Sequence, residues 1–386
     1  MLKQTVPLIF LFAVQAQAKP GDLISLREME AIESTELGDV LKNDVCPGTK
    51  SKVGTNPIRF MSLTYETTNV NGNPTRASAA LLIPATGAKH FSIVSYQHGT
   101  TVRRDNAPSQ GRKWTEGRVI GACYASQGYA VVAADYLGYG DSTEYHPYIH
   151  ADSEATAAAD ALRAAKQAAR NLGFEFDGKL FLSGYSQGGH ATMALHRYLQ
   201  EELNSEFTVS ASAPMAGPYE PAETIRLVLQ NPDWPTSVQA AFLLVAYNKI
   251  YALFASLDEA ILPKYTANLE TLLPGEFSIN EVVRMLPAKP EDLLQPAFQK
   301  DFLSNPENTF LMALRKNDVY NWKPTAPVMF LHGTIDIQVP TFNSVLAEET
   351  MRRLGANTQL VWIEGKDHSS AAPDATARSI TWFNSL

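Results

Sequence analysis

Short apolar runs recur along the chain, separated by polar and alanine-rich stretches, and this rhythm predicts strands alternating with helices. Residues 91–96, 129–135, 179–183, 328–332 and 359–363 are runs of the kind buried on both faces of a parallel sheet. Ahead of them, 58–70 alternates and is rich in β-formers, Asn71-Gly72-Asn73-Pro74 supplies a turn, and 76–84 reads as a second strand, which predicts a hairpin. The alanine-rich stretch 153–172 predicts a helix with Ser153 as N-cap and Gly173 as its stop. Strands spaced by helices of this length imply right-handed crossovers, hence an α/β fold with a mostly parallel, doubly wound sheet. The rhythm breaks over 219–322, where helical patterns are punctuated by prolines and no buried strand stands out. The chain therefore divides into 1–18, 19–218 as the first part of the core, 219–322 as an inserted helical cap, and 323–386 as the second part. Within the insertion, 238–254 is the most apolar segment, but it carries Asn248 and Lys249 and reads as a helix packed over the sheet.

The leading segment differs in kind. Lys3 precedes an apolar run from Val6 to Val14, and Ala16-Gln17-Ala18 offers a small-x-small cleavage site, so 1–18 is expected to be a signal peptide. The apolar run falls short of the ~20 residues a spanning helix needs. The protein is therefore expected to be secreted or periplasmic. There Cys46 and Cys123 are free to pair, although the sequence leaves open whether they meet. With 45% hydrophobic and 19% charged residues in a chain of 386, a large core can form. A net charge of −8 without any Lys/Arg cluster argues against nucleic acid as a partner. Two cysteines are too few for a structural zinc site.

Candidate chemistry centres on Gly184-Tyr185-Ser186-Gln187-Gly188, which directly follows an apolar strand and precedes a helical pattern. A serine on such a bend is held in strained φ/ψ, its neighbours must be small, and the helix start behind it points free N–H groups at developing negative charge. A base is then required. Of the eight histidines, His190 and His196 lie on the helix after Ser186, and His90 and His98 precede it by far. His368 follows the last predicted strand on a loop at the carboxyl edge of the sheet, and it is chosen as the base. Asp336, at the carboxyl end of 328–332, is chosen to orient the imidazole. Asp367 is a rival poorly placed to face the ring of its own neighbour, and Glu364 is another. For the oxyanion hole, the N–H of Gln187 is one expected donor. The loop Gln97-His98-Gly99-Thr100-Thr101 supplies the other, with Thr100 preferred and Gly99 and Thr101 left open; His98 reads as a prop for that loop.

The series YQHGT from Tyr96, ADYLGYGDS from Ala134, GYSQGG from Gly184, HGTID from His332 and KDHSS from Lys366 resembles the α/β-hydrolase superfamily, and within it exported secretory-lipase-type esterases. The likeness runs from about Asn56 to the C-terminus. It implies an α/β-hydrolase fold whose cap roofs an acyl pocket and possible contact with a lipid interface through that cap. The reaction implied is acyl transfer through a covalent Ser186 intermediate, with a small-molecule, lipid or polysaccharide ester as substrate and with neither metal nor organic cofactor. One rival is a carbohydrate esterase acting on acetyl or feruloyl groups of plant polysaccharide; another is a non-catalytic hydrolase-fold binding module. A peptidase is disfavoured because the chain lacks room for a large gating domain. Trp114 and Tyr139 are read as core packing rather than as sugar platforms.

Overall fold

The computed structural model describes residues 18–42, 45–231 and 237–386. The expected export signal therefore lies outside the described residues except for Ala18. Nine strands are present among the described residues: β1 (Leu23–Ile32), β2 (Ile58–Thr68), β3 (Pro74–Pro84), β4 (His90–Gln97), β5 (Ala130–Ala134), β6 (Glu175–Tyr185), β7 (Val209–Met215), β8 (Val328–Gly333) and β9 (Thr358–Ile363). They form one sheet in the order β1-β2-β3-β5-β4-β6-β7-β8-β9. The hairpin β2/β3 and its flanks β1 and β5 pair antiparallel. From β5 onward every pairing is parallel. The sheet is thus the mostly parallel one that the apolar runs predict.

Two strands lack that signal. β1 is an edge strand whose residues mix charge and apolar character, so neither face demands burial. β7 reads Val-Ser-Ala-Ser-Ala-Pro-Met, and its Ser212 is buried because a neighbouring side chain satisfies it, while Ser210 is half-buried. Ser212 Oγ lies 2.9 Å from His196 Nδ1. Tertiary context overrides propensity at both.

Alternation along the buried strands sends neighbouring side chains to opposite faces, where separate clusters form. Leu82, Val94 and Val131 pack under the helices Glu116–Ala125 and His368–Phe383. Leu81, Val132 and Leu182 pack under Ala151–Leu172 and Gln187–Glu201. The alanines of Ala151–Leu172 let that helix lie close to the sheet, and Tyr65 donates to the Ala157 carbonyl at 2.8 Å. The N-cap of this helix lies three residues earlier than its sequence predicts. His150, not Ser153, is its N-cap, the ring Nδ1 accepting from the Ser153 N–H, while Gly173 ends it at φ 77°.

Between β7 and β8 the described chain is helical and builds its own apolar cluster. Ser237–Tyr251 is buried over most of its length. Phe242 stacks on Tyr148 with centroids 4.5 Å apart, and Tyr247 donates to the Ile149 carbonyl at 2.8 Å, which fastens this helical region to the loop before Ala151–Leu172. Tyr139 is buried, as expected, and donates to the Thr101 carbonyl. Trp114 is not: its backbone takes φ 65° in a turn and its ring is 56% exposed, so the expectation of core packing fails there.

Cys46 and Cys123 form a disulfide across 77 residues, with Cα atoms 6.4 Å apart. It staples the chain after the helix Ser34–Lys42 to the buried helix Glu116–Ala125. Closing a loop of that size stabilises the fold by about 4.5 kcal/mol on the chain-entropy account. Replacing both cysteines with serine is expected to lower the unfolding free energy in urea by that order, and a change below about 1 kcal/mol would refute the assigned role.

Candidate active site

β6 ends at Tyr185 and the helix Gln187–Glu201 begins at once, so Ser186 makes the whole turn by itself. Its backbone sits at φ 60°, ψ −121°, a region that L-residues avoid. Packing holds it there. The Ser186 N–H donates to the Met215 carbonyl at 2.9 Å, and the Gly189 N–H returns to the Ser186 carbonyl at 2.8 Å. The flanking glycines are obligatory for a steric reason: a Cβ at Gly188 would lie 1.9 Å from the Gln97 carbonyl oxygen, and one at Gly184 would lie 2.4 Å from the Gly188 oxygen. The end of β4 thus presses directly against the bend, and Ser186 is left half-buried at the carboxyl edge of the sheet.

Three candidate groups meet at this edge. His368 Nε2 lies 2.9 Å from Ser186 Oγ, and His368 Nδ1 lies 2.6 Å from Asp336 Oδ2. An ionised carboxylate only accepts, so Nδ1 carries the proton and Nε2 is left to accept from the serine hydroxyl. His368 does not lie on a loop, as its sequence context suggests. It opens the helix His368–Phe383, whose N-cap is Asp367. That duty occupies Asp367 Oδ1, which accepts from the Ser370 N–H at 2.8 Å and the Ser370 hydroxyl at 2.6 Å, and it removes Asp367 as a partner for the ring. Asp336 Oδ1 accepts the N–H groups of Gln338 and Val339, both at 2.9 Å. Burial alone would raise the Asp336 carboxyl, but hydrogen bonds from His332 and His368 outweigh it and hold the group below the usual carboxylate range.

His332 is a member of the site that the sequence reading left without a role. Its Nδ1 accepts from the Ser344 hydroxyl at 2.7 Å, while Nε2 faces the Val339 carbonyl at 3.0 Å and Asp336 Oδ2 at 3.2 Å. The carbonyl can only accept, so Nε2–H donates and braces the same aspartate oxygen that faces His368. The spacing of four residues in His332-Gly333-Thr334-Ile335-Asp336 carries this pairing, though nothing in sequence distinguishes it from a buried core histidine.

The two expected oxyanion donors sit on either side of Ser186. Gln187 and Thr100 both line the cavity above the serine, and among the described residues neither the Gln187 nor the Thr100 N–H has a partner. The Gly99 N–H is already taken by Glu116 Oε1 at 2.8 Å, which removes it from the alternatives. His98 props the loop, its ring nitrogens facing the carbonyls of Gly99 at 2.7 Å and Asp135 at 3.2 Å. The Gln187 side chain is fixed from below: Nε2 donates to Glu154 Oε1 at 2.9 Å and to His146 Nε2 at 3.0 Å. Glu154 Oε2 is in turn 2.7 Å from His190 Nδ1. His190 and His196 are buried in this and neighbouring packing and lie away from the hydroxyl.

A cavity of about 320 Å³ opens over Ser186, near the lower end of the roughly 300–1,000 Å³ usual for small-molecule sites. The helical region between β7 and β8 lines it mainly with Ile225, Val228, Leu243 and Ile279, with Thr224 and Gln239 beside them. A hydroxyl activated at the floor of a partly closed, largely apolar pocket is suited to attack on a carbonyl carbon.

Residues 98–379 match the profile of the alpha/beta hydrolase family. The fold superposes with a TM-score of 0.85 on the rice cell wall degrading esterase LipA of Xanthomonas oryzae, which is 29% identical over 95% of this chain and 98% of that one. A putative hydrolase of Legionella pneumophila gives 0.88 at 27% identity, over 94% of this chain and 97% of its own. Lipase A of Moesziomyces aphidis is 30% identical over 214 residues, which is 48% of this chain and 44% of that lipase, so the match spans less than half of that relative's length.

The support beneath Gln187 has a measurable acid dependence. Burial pushes the His146 ring from 6.5 down to about 3, so it stays neutral and able to accept while the unfolded chain begins to take up its proton below 6.5. The unfolded state is thus favoured as pH falls from 6.5 toward 3. Substituting His146→Asn is expected to shrink the difference in unfolding free energy between pH 7 and pH 4 by on the order of 3 kcal/mol. An unchanged difference would show that this ring is not held neutral.

Proposed function

Because the chain belongs to the alpha/beta hydrolase family, we propose that it is a serine carboxylic ester hydrolase, a lipase or esterase working through an acyl-enzyme. The observation that carries the reading is the continuous hydrogen-bond chain from Ser186 Oγ through His368 to Asp336, at 2.9 and 2.6 Å. In the first step His368 Nε2 takes the hydroxyl proton as Ser186 Oγ bonds to the ester carbonyl carbon, and the carbonyl oxygen becomes an oxyanion facing the N–H groups of Gln187 and Thr100. Collapse of that intermediate expels the alcohol, which leaves with the proton held by His368. Water then repeats the sequence on the acyl-enzyme, giving up its proton to His368 and freeing the acid and Ser186. Asp336 keeps the imidazole in the right tautomer and offsets its positive charge between these transfers.

Export belongs to the same reading. An apolar leader followed by Ala16-Gln17-Ala18 and a pairing of Cys46 with Cys123 both favour an oxidising compartment, whether periplasmic or extracellular. The apolar wall and modest cavity favour esters of short to medium acids, with the helical region between β7 and β8 as the cap that roofs them. A second reading, esterase action on plant polysaccharide, is favoured by the likeness to an esterase described as rice cell wall degrading. Relative rates on tributyrin, a long-chain emulsion and acetylated xylan separate the two readings.

Ser186→Ala is expected to abolish both the burst of p-nitrophenol from p-nitrophenyl esters and labelling by a fluorophosphonate, with the melting temperature preserved. Asp336→Asn is expected to lower kcat by about 10⁴-fold. A burst of equal amplitude in the alanine variant would end the assignment, and absence of labelling in the parent protein would favour a binding module.

A further inference from the structure

The oxyanion loop is gripped by a side chain that no sequence pattern marks. Glu116 begins the helix Glu116–Ala125, and its carboxylate reaches back to the end of β4. Oε1 accepts two hydrogen bonds there, from the Tyr96 hydroxyl at 2.7 Å and from the Gly99 N–H at 2.8 Å. The fit around Gly99 is close: a Cβ at that position would lie 3.1 Å from Glu116 Oε2 and 3.2 Å from the Tyr185 carbonyl oxygen. The loop is therefore threaded between the Glu116 carboxylate and the residue that precedes Ser186. Glu116, Gly99, Thr100, Ser186 and His368 all border one cavity.

We propose that Glu116 is a positioning residue for ester hydrolysis: by claiming the Gly99 N–H it turns the next amide, that of Thr100, toward the oxyanion. This rests on the acyl-transfer reading given above and extends it. Two adjacent N–H groups in a loop compete to face the substrate, and an acceptor oxygen bound to one of them decides the competition. The same bond stops the loop from rotating as negative charge develops on the carbonyl oxygen, which is the preorganisation that such a site requires. Tyr96 completes the arrangement. Its hydroxyl is buried, and burial first, then the neighbouring Glu116, raises it far above the ordinary tyrosine range, so it stays protonated and holds the carboxylate in place.

The carboxylate is not itself an oxyanion donor, and its negative charge near the site opposes the charge that forms in the transition state. This makes a conservative substitution informative. Glutamine keeps an acceptor oxygen for both Tyr96 and Gly99 while removing the charge, whereas alanine removes the acceptor and frees the loop. Position 116 is exposed at a helix start, so glutamine is accommodated there without repacking, whereas alanine also leaves the buried Tyr96 hydroxyl without its partner.

The test measures kcat and KM on p-nitrophenyl butyrate and the affinity for an alkyl trifluoromethyl ketone of matched length, in the parent, Glu116→Ala and Glu116→Gln. Loss of one oxyanion donor typically costs about 10²- to 10³-fold, and a misdirected one is expected to cost about 10- to 100-fold. Glu116→Ala should lower kcat by that factor with KM within about twofold, and should weaken the trifluoromethyl ketone in parallel. Glu116→Gln should restore both to the parent level or above. Equal kcat in the parent and Glu116→Ala would overturn the proposal. So would an alanine variant whose loss lies in KM alone, or a glutamine variant as impaired as alanine. Should Glu116→Ala melt well below the parent, the ketone affinity of Glu116→Gln decides alone, since it must match the parent. If the parent hydrolyses no ester, the acyl-transfer reading itself fails, an outcome distinct from the failure of Glu116 to matter.

Discussion

Everything at the carboxyl edge of this sheet depends on one close contact, the Gln97 carbonyl pressed against the bend at Ser186. With no Cβ at Gly188 or Gly184, the end of β4 and the start of the helix Gln187–Glu201 approach until only backbone separates them. That approach puts the two flanks of the proposed oxyanion site beyond adjoining strands and keeps Ser186 at an unfavourable positive φ. A strained residue of this kind persists only where surrounding structure over-determines it, and here the parallel strands β4, β6 and β7 do so together. The strain follows from the packing of the fold and is held in place before any substrate arrives.

The electrostatics follow the same logic of fixing groups in advance. Asp336 accepts from His368, from His332 and from two backbone N–H groups, so its charge is retained despite burial and its direction is fixed by all four. Gln187 is secured by a neutral His146 and by Glu154, and the loop that ends at Thr100 by His98 and Glu116. Each candidate group is thus backed by a buried or loop-anchoring partner. Such support is what keeps a site from spending its transition-state interactions on reorganisation.

How much of this the amino-acid sequence discloses depends on the kind of signal. The buried parallel strands and the Ser186 bend are legible because they rest on local rules, a run of apolar residues and glycines around a tight turn. His368 and Asp336 become legible only by association with Ser186, since each on its own is an ordinary polar residue past a strand. β1 and β7 are not legible, because edge exposure and neighbour-satisfied serines erase the period that a strand would otherwise show. His332, His146, Glu154 and Glu116 stay hidden for a related reason: their partners are distant in sequence or lie on a loop whose path is set by packing. The N-cap at His150 rather than Ser153 and the helical setting of His368 show the same limit at element boundaries, where a locally bonded capping side chain shifts the start of a helix by up to three residues.

The tie between Phe242 and Tyr148 carries a consequence for how this scaffold can diversify. Ser186, Asp336 and His368 follow β6, β8 and β9, while Ile225, Val228 and Leu243, which line the cavity above them, come from a helical region with its own apolar cluster, tied to the rest by the Tyr148 stack, the Tyr247 hydroxyl and the Thr224–Asn343 pair. Reshaping that room leaves the reacting geometry intact so long as the aromatic stack survives. The wall of the cavity and the groups at its floor thus belong to separately packed parts of the chain, so the shape of the one can change without moving the other.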